Sequence, residues 1–299
     1  MNVLVNLNNK VEAFQIKEEH RTRFRNEFPQ HSFKFVESYD EFKDNLDWAE
    51  TAVLWFFPEK LFAEAKNLKC LYTPSAGKDW VAVDSTGRVK TYFSAYHGYM
   101  ISESFLTMLF YINNRLSFAV ENKEGACWNR NAFGCRRLLR NKKLLIAGYG
   151  NIGRICAEHC QALGISVTGA CRDLNKSSNC KLRSIETLSE YISEYDIILN
   201  LLPGGDETEG FFSRELISCM KSGVEFYNFG RGTTVDEKAL IEALKSGQVS
   251  FAGLDVFVNE PLEEKSELWS LSNVVLTPHS SCIYEDYLHL FIDELKVKL

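Results

Sequence analysis

The sequence lacks any apolar run near the roughly 18 residues that a membrane-spanning helix needs. Its opening, Met1-Asn2-Val3-Leu4-Val5-Asn6-Leu7, alternates as a strand does and has no basic start, so no signal peptide is expected. There is no C-x-x-C pair and no Cys/His cluster at zinc spacing, and the expectation is no metal. Positive charge is not in excess: 34 Lys and Arg stand against 40 Asp and Glu, for a formal charge of −6. That balance argues against nucleic acid as a partner. Repeats, low-complexity tracts and Pro/Gly-rich linkers are also missing, so the domain boundary near residue 98 rests on pattern alone.

What is present is ordinary for a soluble globular protein: 45% apolar and 25% charged residues in 299. That length suggests about two domains. Nine cysteines, odd in number and scattered, fit reduced buried thiols and a cytoplasmic protein.

The first hundred residues read as strands alternating with helices. Val3, Val5 and Leu7 mark a strand, residues 18–28 a helix with Phe24 and Phe28 on one side, and Ser38 the cap of a helix running to Trp48. Ala52 to Phe57 reads as a buried strand stopped by Pro58, residues 59–66 as a helix, and Cys70-Leu71-Tyr72 as a strand. Such alternation implies a parallel sheet covered by helices. Ser75-Ala76-Gly77 follows a strand directly, where open α/β sheets bind ligands, although a plain turn reads the same way. Gly98 to Val120 carries helical apolar spacing on more than one face, as in a helix buried between domains or in a subunit interface.

The middle of the chain carries a sharper signal. Lys143 to Ala147 is a β-type run, and Gly148-Tyr149-Gly150-Asn151-Ile152-Gly153 follows at once. A helical pattern then runs to Leu163, stops at Gly164, and a second strand begins at Ile165. This is G-x-G-x-x-G inside a strand–helix–strand unit, the context in which the motif binds a dinucleotide. The first glycine makes the turn, the second admits the pyrophosphate, and the third lets helix pack on strand. The helix N-terminus adds free N–H groups and partial positive charge.

NAD binders place an acid about 20 residues on, at the end of the second strand. Here that end reads Ala170-Cys171-Arg172-Asp173, with Lys176 nearby. A guanidinium in place of a carboxylate favours a 2′-phosphate, hence NADP(H). Asp173 reaching the ribose after a one-residue shift would restore NAD(H). His159, on the helix after the fingerprint, reads as a packed helix residue.

In the last third, Arg231, Glu260 and His279 each lie just past one of three consecutive strands. In a parallel sheet those ends share one edge, the edge where a dinucleotide lies. A cation, an anion and a proton carrier placed together there suit reduction of a 2-keto acid.

The residues Gly148–Gly153, Asn228-Phe229-Gly230-Arg231-Gly232 with Val235-Asp236, Leu254-Asp255-Val256-Phe257 with Glu260-Pro261, and Thr277-Pro278-His279 together make the chain resemble the D-isomer-specific 2-hydroxyacid dehydrogenases, among them glyoxylate and hydroxypyruvate reductases. The resemblance covers nearly the whole chain. It implies an α/β protein of two Rossmann- or flavodoxin-like parallel-sheet domains with the active site in the cleft between them. Residues 1–97 plus 283–299 would form the substrate-binding domain and 98–282 the dinucleotide-binding domain. A homodimer is also implied.

By the same resemblance, Arg231 holds the substrate carboxylate, His279 is the acid/base, and Glu260 orients His279 and raises its pKa. Ala76 and Gly77 offer backbone amides to the substrate. Asn151, Ile152, Pro203 and Thr208 line the dinucleotide groove, with Gly148, Gly150, Gly153, Phe229 and Gly230 beside them; Arg172 joins this set through its guanidinium chemistry alone. Asp255 touches the nicotinamide end. The expected activity is reduction of a small 2-keto acid, such as glyoxylate or hydroxypyruvate, to a D-2-hydroxy acid with NAD(P)H. Trp55, Phe56, Phe57, Tyr99 and Tyr284 are bulky side chains that sort between core and pocket. Two departures from the family stand out: Cys171-Arg172 replaces the acid, and the closing C-terminal helix is short. The rival reading is a dinucleotide-sensing, corepressor-like interaction protein on the same fold; another is an enzyme using an unusual hydride donor such as phosphite.

Overall fold

A computed structural model describes residues 1–130 and 138–299, so Cys135 lies outside the described residues. In chain order the strands are β1 (Asn2–Asn6), β2 (Ser32–Phe35), β3 (Thr51–Leu54), β4 (Cys70–Thr73), β5 (Lys90–Phe93), β6 (Lys143–Ala147), β7 (Ser166–Cys171), β8 (Lys181–Ser184), β9 (Ile197–Asn200), β10 (Val224–Asn228), β11 (Val249–Leu254) and β12 (Val274–Leu276). The α-helices are α1 (Glu18–Glu27), α2 (Tyr39–Asp44), α3 (Gly98–Asn113), α4 (Leu116–Glu124), α5 (Asn151–Ala162), α6 (Arg214–Ser218), α7 (Glu237–Ser246) and α8 (Tyr287–Lys298). The chain divides into two compact units, Met1–His97 with Cys282–Leu299, and Gly98–Ser281.

The first unit holds a parallel sheet in the order β2-β1-β3-β4-β5. β3 is buried along its whole length, as expected of a central parallel strand. One core cluster joins Leu4, Phe42, Leu54, Phe57, Leu61 and Leu71. Ser38 caps α2, its hydroxyl accepting the Glu41 N–H at 3.1 Å. The expected helix over 59–66 is only a four-residue 3-10 turn, Glu59–Phe62, a stretch too short to repay helix nucleation.

The second unit holds a seven-stranded parallel sheet, β12-β11-β10-β9-β6-β7-β8. Chain order reverses beside β6: β7 and β8 extend one way, and β9 returns to its other side. Ligands of open α/β sheets bind where the order reverses, at the carboxyl ends of the strands. Leu145, Ile198, Phe226, Leu240 and Ala252 belong to the core beneath. α7 opens on Asp236, whose carboxylate accepts the Ala239 N–H at 3.0 Å, and closes on Gly247 in the left-handed region.

The helix expected from Gly98 to Val120 is two helices. Asn113 turns its side chain back to the Leu109 carbonyl and onward to Glu225, and Arg115 adopts φ +53°. An asparagine that bonds the backbone in this way competes with helix continuation.

Candidate active site

The glycine loop follows β6 at the point of reversal. Gly148 has φ +91°, and a Cβ there would lie 2.7 Å from the Leu201 carbonyl group, so only glycine makes this turn. At Gly150, the N-cap of α5, a Cβ would meet nothing within 4 Å. Open space over a helix N-terminus suits a pyrophosphate, and the twelve-residue α5 is long enough to supply a dipole. Gly153 is buried against Ile146 of β6. Asn151 is exposed and Ile152 half-buried in the first turn of α5. On the far side of the reversal, Pro203 is exposed, and the Thr208 hydroxyl donates to its carbonyl at 2.6 Å, which closes the loop after β9. These residues fit a dinucleotide.

At the end of β7, Cys171 is buried and its thiol donates to the Asp173 carbonyl. Asp173 Oδ1 accepts the Asn175 N–H at 2.9 Å, closing its own turn. Arg172 is exposed and pairs with Glu207.

Arg231 follows β10 and is half-buried, and its Nη1 donates to the Gly230 carbonyl at 2.8 Å. Its backbone is held from below. The Thr234 hydroxyl donates to the Arg231 carbonyl at 2.6 Å and Asn228 Nδ2 donates to it at 3.2 Å. Asn200, ending β9, donates to Asn228 Oδ1 and Thr234 Oγ1 at 3.0 and 2.7 Å and accepts the Leu202 N–H at 3.0 Å. All three of these residues are buried. Gly232 is pressed on the chain at Phe257, where a Cβ would come within 1.9 Å of the carbonyl carbon. The arginine therefore leaves a rigid base. Asn200, Asn228 and Thr234 escaped the sequence reading as members of one network. Their trace is a polar residue ending each of the apolar runs of β9 and β10.

His279 follows β12. Its backbone is left-handed at φ +49°, uncommon for a residue other than glycine. Its N–H donates to the Asp255 carbonyl at 2.8 Å, and its Nδ1 lies 2.8 Å from Glu260 Oε2. Glu260 Oε1 accepts the Phe257 N–H at 3.1 Å. Both side chains of the pair stay partly exposed, 44% for His279 and 37% for Glu260.

Asp255, expected at the nicotinamide end, directly follows β11. It is fully buried, and its carboxylate accepts from the Thr277 hydroxyl at 2.6 Å and from the Ser280 and Ser281 N–H groups at 2.8 and 3.2 Å. These bonds tie Asp255 to the loop that carries His279. Phe229 and Gly230 are likewise buried behind Arg231.

Ala76 and Gly77 belong to the first unit, in the turn after β4. The Gly77 N–H donates to Ser75 Oγ at 3.1 Å, so that amide serves the turn itself. Trp55 and Phe57 are buried, and Phe56 and Tyr99 are exposed. His159 bonds Ser102 Oγ through Nδ1 at 2.8 Å, a packing contact. The cysteines depart from a uniformly buried set: of those described, Cys156, Cys160 and Cys171 are buried and Cys127 and Cys219 exposed, and none of these five is in a disulfide. Among the described residues Glu19, His20 and His289 are grouped closely enough to be compared with metal ligands; His20 Nδ1 accepts the Lys17 N–H. Among the described residues no helix is long and apolar enough to cross a membrane.

Residues 106–281 match the profile of the D-isomer specific 2-hydroxyacid dehydrogenase, NAD binding domain. A probable 2-ketogluconate reductase of Dictyostelium discoideum is 35% identical over 188 residues, 60% of this chain and 55% of that protein. A hydroxypyruvate reductase of Blautia hydrogenotrophica is 30% identical over 239 residues, 75% of this chain and 72% of that protein. The match thus spans little more than half the length of the first of these relatives. In fold, the chain superposes on a D-isomer specific 2-hydroxyacid dehydrogenase from Xanthobacter autotrophicus, solved with NADPH and MES, with a TM-score of 0.82 at 23% identity, covering 99% of this chain and 93% of that one.

Proposed function

This chain belongs to the D-isomer specific 2-hydroxyacid dehydrogenase family, and within it we propose an NAD(P)H-dependent reductase of a small 2-keto acid of the glyoxylate or hydroxypyruvate kind. The observation that carries the reading is the His279–Glu260 pair on the same sheet edge as Arg231 and the glycine loop.

A reduced nicotinamide bound at the Gly148–Gly153 loop would supply hydride. The rest of the chemistry falls to the chain's own side chains. Arg231 binds the substrate carboxylate through its planar guanidinium, which fits a carboxylate bidentately. The Asn200–Asn228–Thr234 network keeps its backbone from shifting, and positioning of this kind lowers the barrier. His279 gives a proton from Nε2 to the carbonyl oxygen in reduction and takes it back in oxidation. Glu260, on Nδ1, holds the ring in place and decides which nitrogen faces the substrate. For Ala76 and Gly77 as further substrate contacts, the support is the resemblance alone.

The same reading includes a homodimer. None of the residues of α4 is buried, although the helix carries Leu116, Phe118 and Val120. A helix without a covered face usually has a partner, here a second copy. Light scattering on the eluting protein would return about twice the chain mass; a monomer at micromolar concentration refutes the dimer.

The activity test is the decay of nicotinamide absorbance with NADPH or NADH against glyoxylate, hydroxypyruvate, pyruvate and phenylpyruvate. Turnover of a small 2-keto acid is the expected result. Cofactor binding with silence across the whole panel would move the reading to the dinucleotide-sensing interaction protein.

A further inference from the structure

We propose that Glu207 sets how this chain discriminates a dinucleotide bearing a 2′-phosphate from one bearing a free 2′-hydroxyl. The inference rests on the reading of Gly148–Gly153 as the dinucleotide loop.

Three charged side chains follow β7, and two of them are committed locally. Asp173 caps its own turn on the Asn175 N–H. Lys176 donates through Nζ to the Tyr149 carbonyl, inside the glycine loop, with the ammonium 5.4 Å from the centre of the Tyr149 ring. Arg172 instead donates through Nη1 to Glu207 Oε2 at 2.7 Å. Glu207 comes from the loop after β9, four residues past Pro203. β7 and β9 are the two neighbours of β6, whose end carries the glycine loop. The ion pair thus joins the loops that flank that turn. The acid missing from the end of β7 has a counterpart reaching in from the other side.

The two partners prefer different cofactors. A ribose 2′-hydroxyl can donate to Glu207 while the pair stays intact, as a hydroxyl does to the fingerprint's usual acid. A 2′-phosphate needs the Arg172 fork, so it must take the guanidinium from Glu207 and then lie beside that carboxylate. Both side chains are well exposed, 59% for Arg172 and 77% for Glu207, so the exchange is inexpensive and neither cofactor is shut out. The chain accepts both cofactors, and the carboxylate at position 207 sets the ratio.

The test is equilibrium titration of the full chain, by quenching of protein fluorescence, with NADPH and with NADH, for the wild type and Glu207→Gln. Glutamine keeps the shape and removes the charge, and the exposed position spares the fold. Glu207→Gln should tighten NADPH about tenfold and weaken NADH slightly, by no more than about twofold, the scale expected for removing one exposed like charge and one exposed competitor. The shift should shrink with added salt. If both cofactors bind and their ratio moves less than twofold, the inference is overturned while the dinucleotide reading stands. If neither cofactor binds the wild type, the dinucleotide reading itself fails and the inference falls with it.

Discussion

His279 Nδ1 and Glu260 Oε2 meet at 2.8 Å, although they come from loops after different strands. In the proposed mechanism the pair works as a unit, so its mutational losses should not add. His279→Ala should lower kcat by roughly a thousandfold, and Glu260→Gln by less, on the scale of general acid–base catalysis. The double variant should be no slower than His279→Ala. Cofactor affinity, measured by fluorescence titration, should hold in all three. Undiminished turnover in His279→Ala would remove this residue from the mechanism.

Arg231 should lose its aim when its base is loosened. Thr234→Val deletes the hydroxyl that donates to the Arg231 carbonyl and accepts from Asn200. Leaving buried polar groups without partners costs about 1–3 kcal/mol, which a urea titration would register. Beyond that loss, the KM for the keto acid should rise while the dissociation constant for cofactor stays put. Thr234→Ser keeps the hydroxyl and should restore KM. A KM unchanged in Thr234→Val would confine the network to stability.

Two glycines of one loop should fail in different ways. Gly148→Ala places a Cβ at 2.7 Å from the Leu201 backbone on a residue with φ +91°, and should destabilise the second unit by several kcal/mol. At Gly150 a Cβ meets nothing, so Gly150→Ala should melt within a few degrees of the wild type yet bind cofactor at least about tenfold more weakly, by blocking close approach to the backbone. Thermal melts set beside cofactor titrations separate the two. Full affinity in Gly150→Ala would mean the pyrophosphate lies elsewhere.

Acid should weaken the first unit before its carboxylates titrate. His97 is buried, with Nε2 2.9 Å from the Tyr287 hydroxyl, and burial pushes its pKa from 6.5 down to about 4. The unfolded chain therefore binds the extra proton first. Stability is fully present above about pH 6.5 and falls as pH drops toward about 4, by up to about 3 kcal/mol for this histidine. Buried His20 shifts in the same direction. Urea midpoints between pH 7 and 4.5 should slope downward, and His97→Gln should flatten part of that slope. An identical slope in the variant would refute the assignment.

Much of this was legible in the sequence because it depends on local chemistry. The strand before Gly148, the helix after it and the return strand obey short-range rules of period, cap and glycine. The three polar residues past β10, β11 and β12 could be placed on one edge because parallel strands send their carboxyl ends the same way. Short, half-exposed strands were harder. β2, β5 and β8 are four residues each, too short for a period to declare itself, so only pairing with a neighbour defines them.

What the sequence by itself determined is therefore the alternating α/β architecture, the glycine loop between strand and helix, and Arg231, Glu260 and His279 as the candidates past three successive strands. Tertiary structure alone decided the contacts that cross from one strand's loop to another's. It buried Asp255 under the His279 loop, joined Asn200 to Thr234 beneath Arg231, and set Glu207 against Arg172. No pattern in the chain encodes those pairings, because each depends on the order in which strands lie side by side, and that order follows from packing the whole sheet.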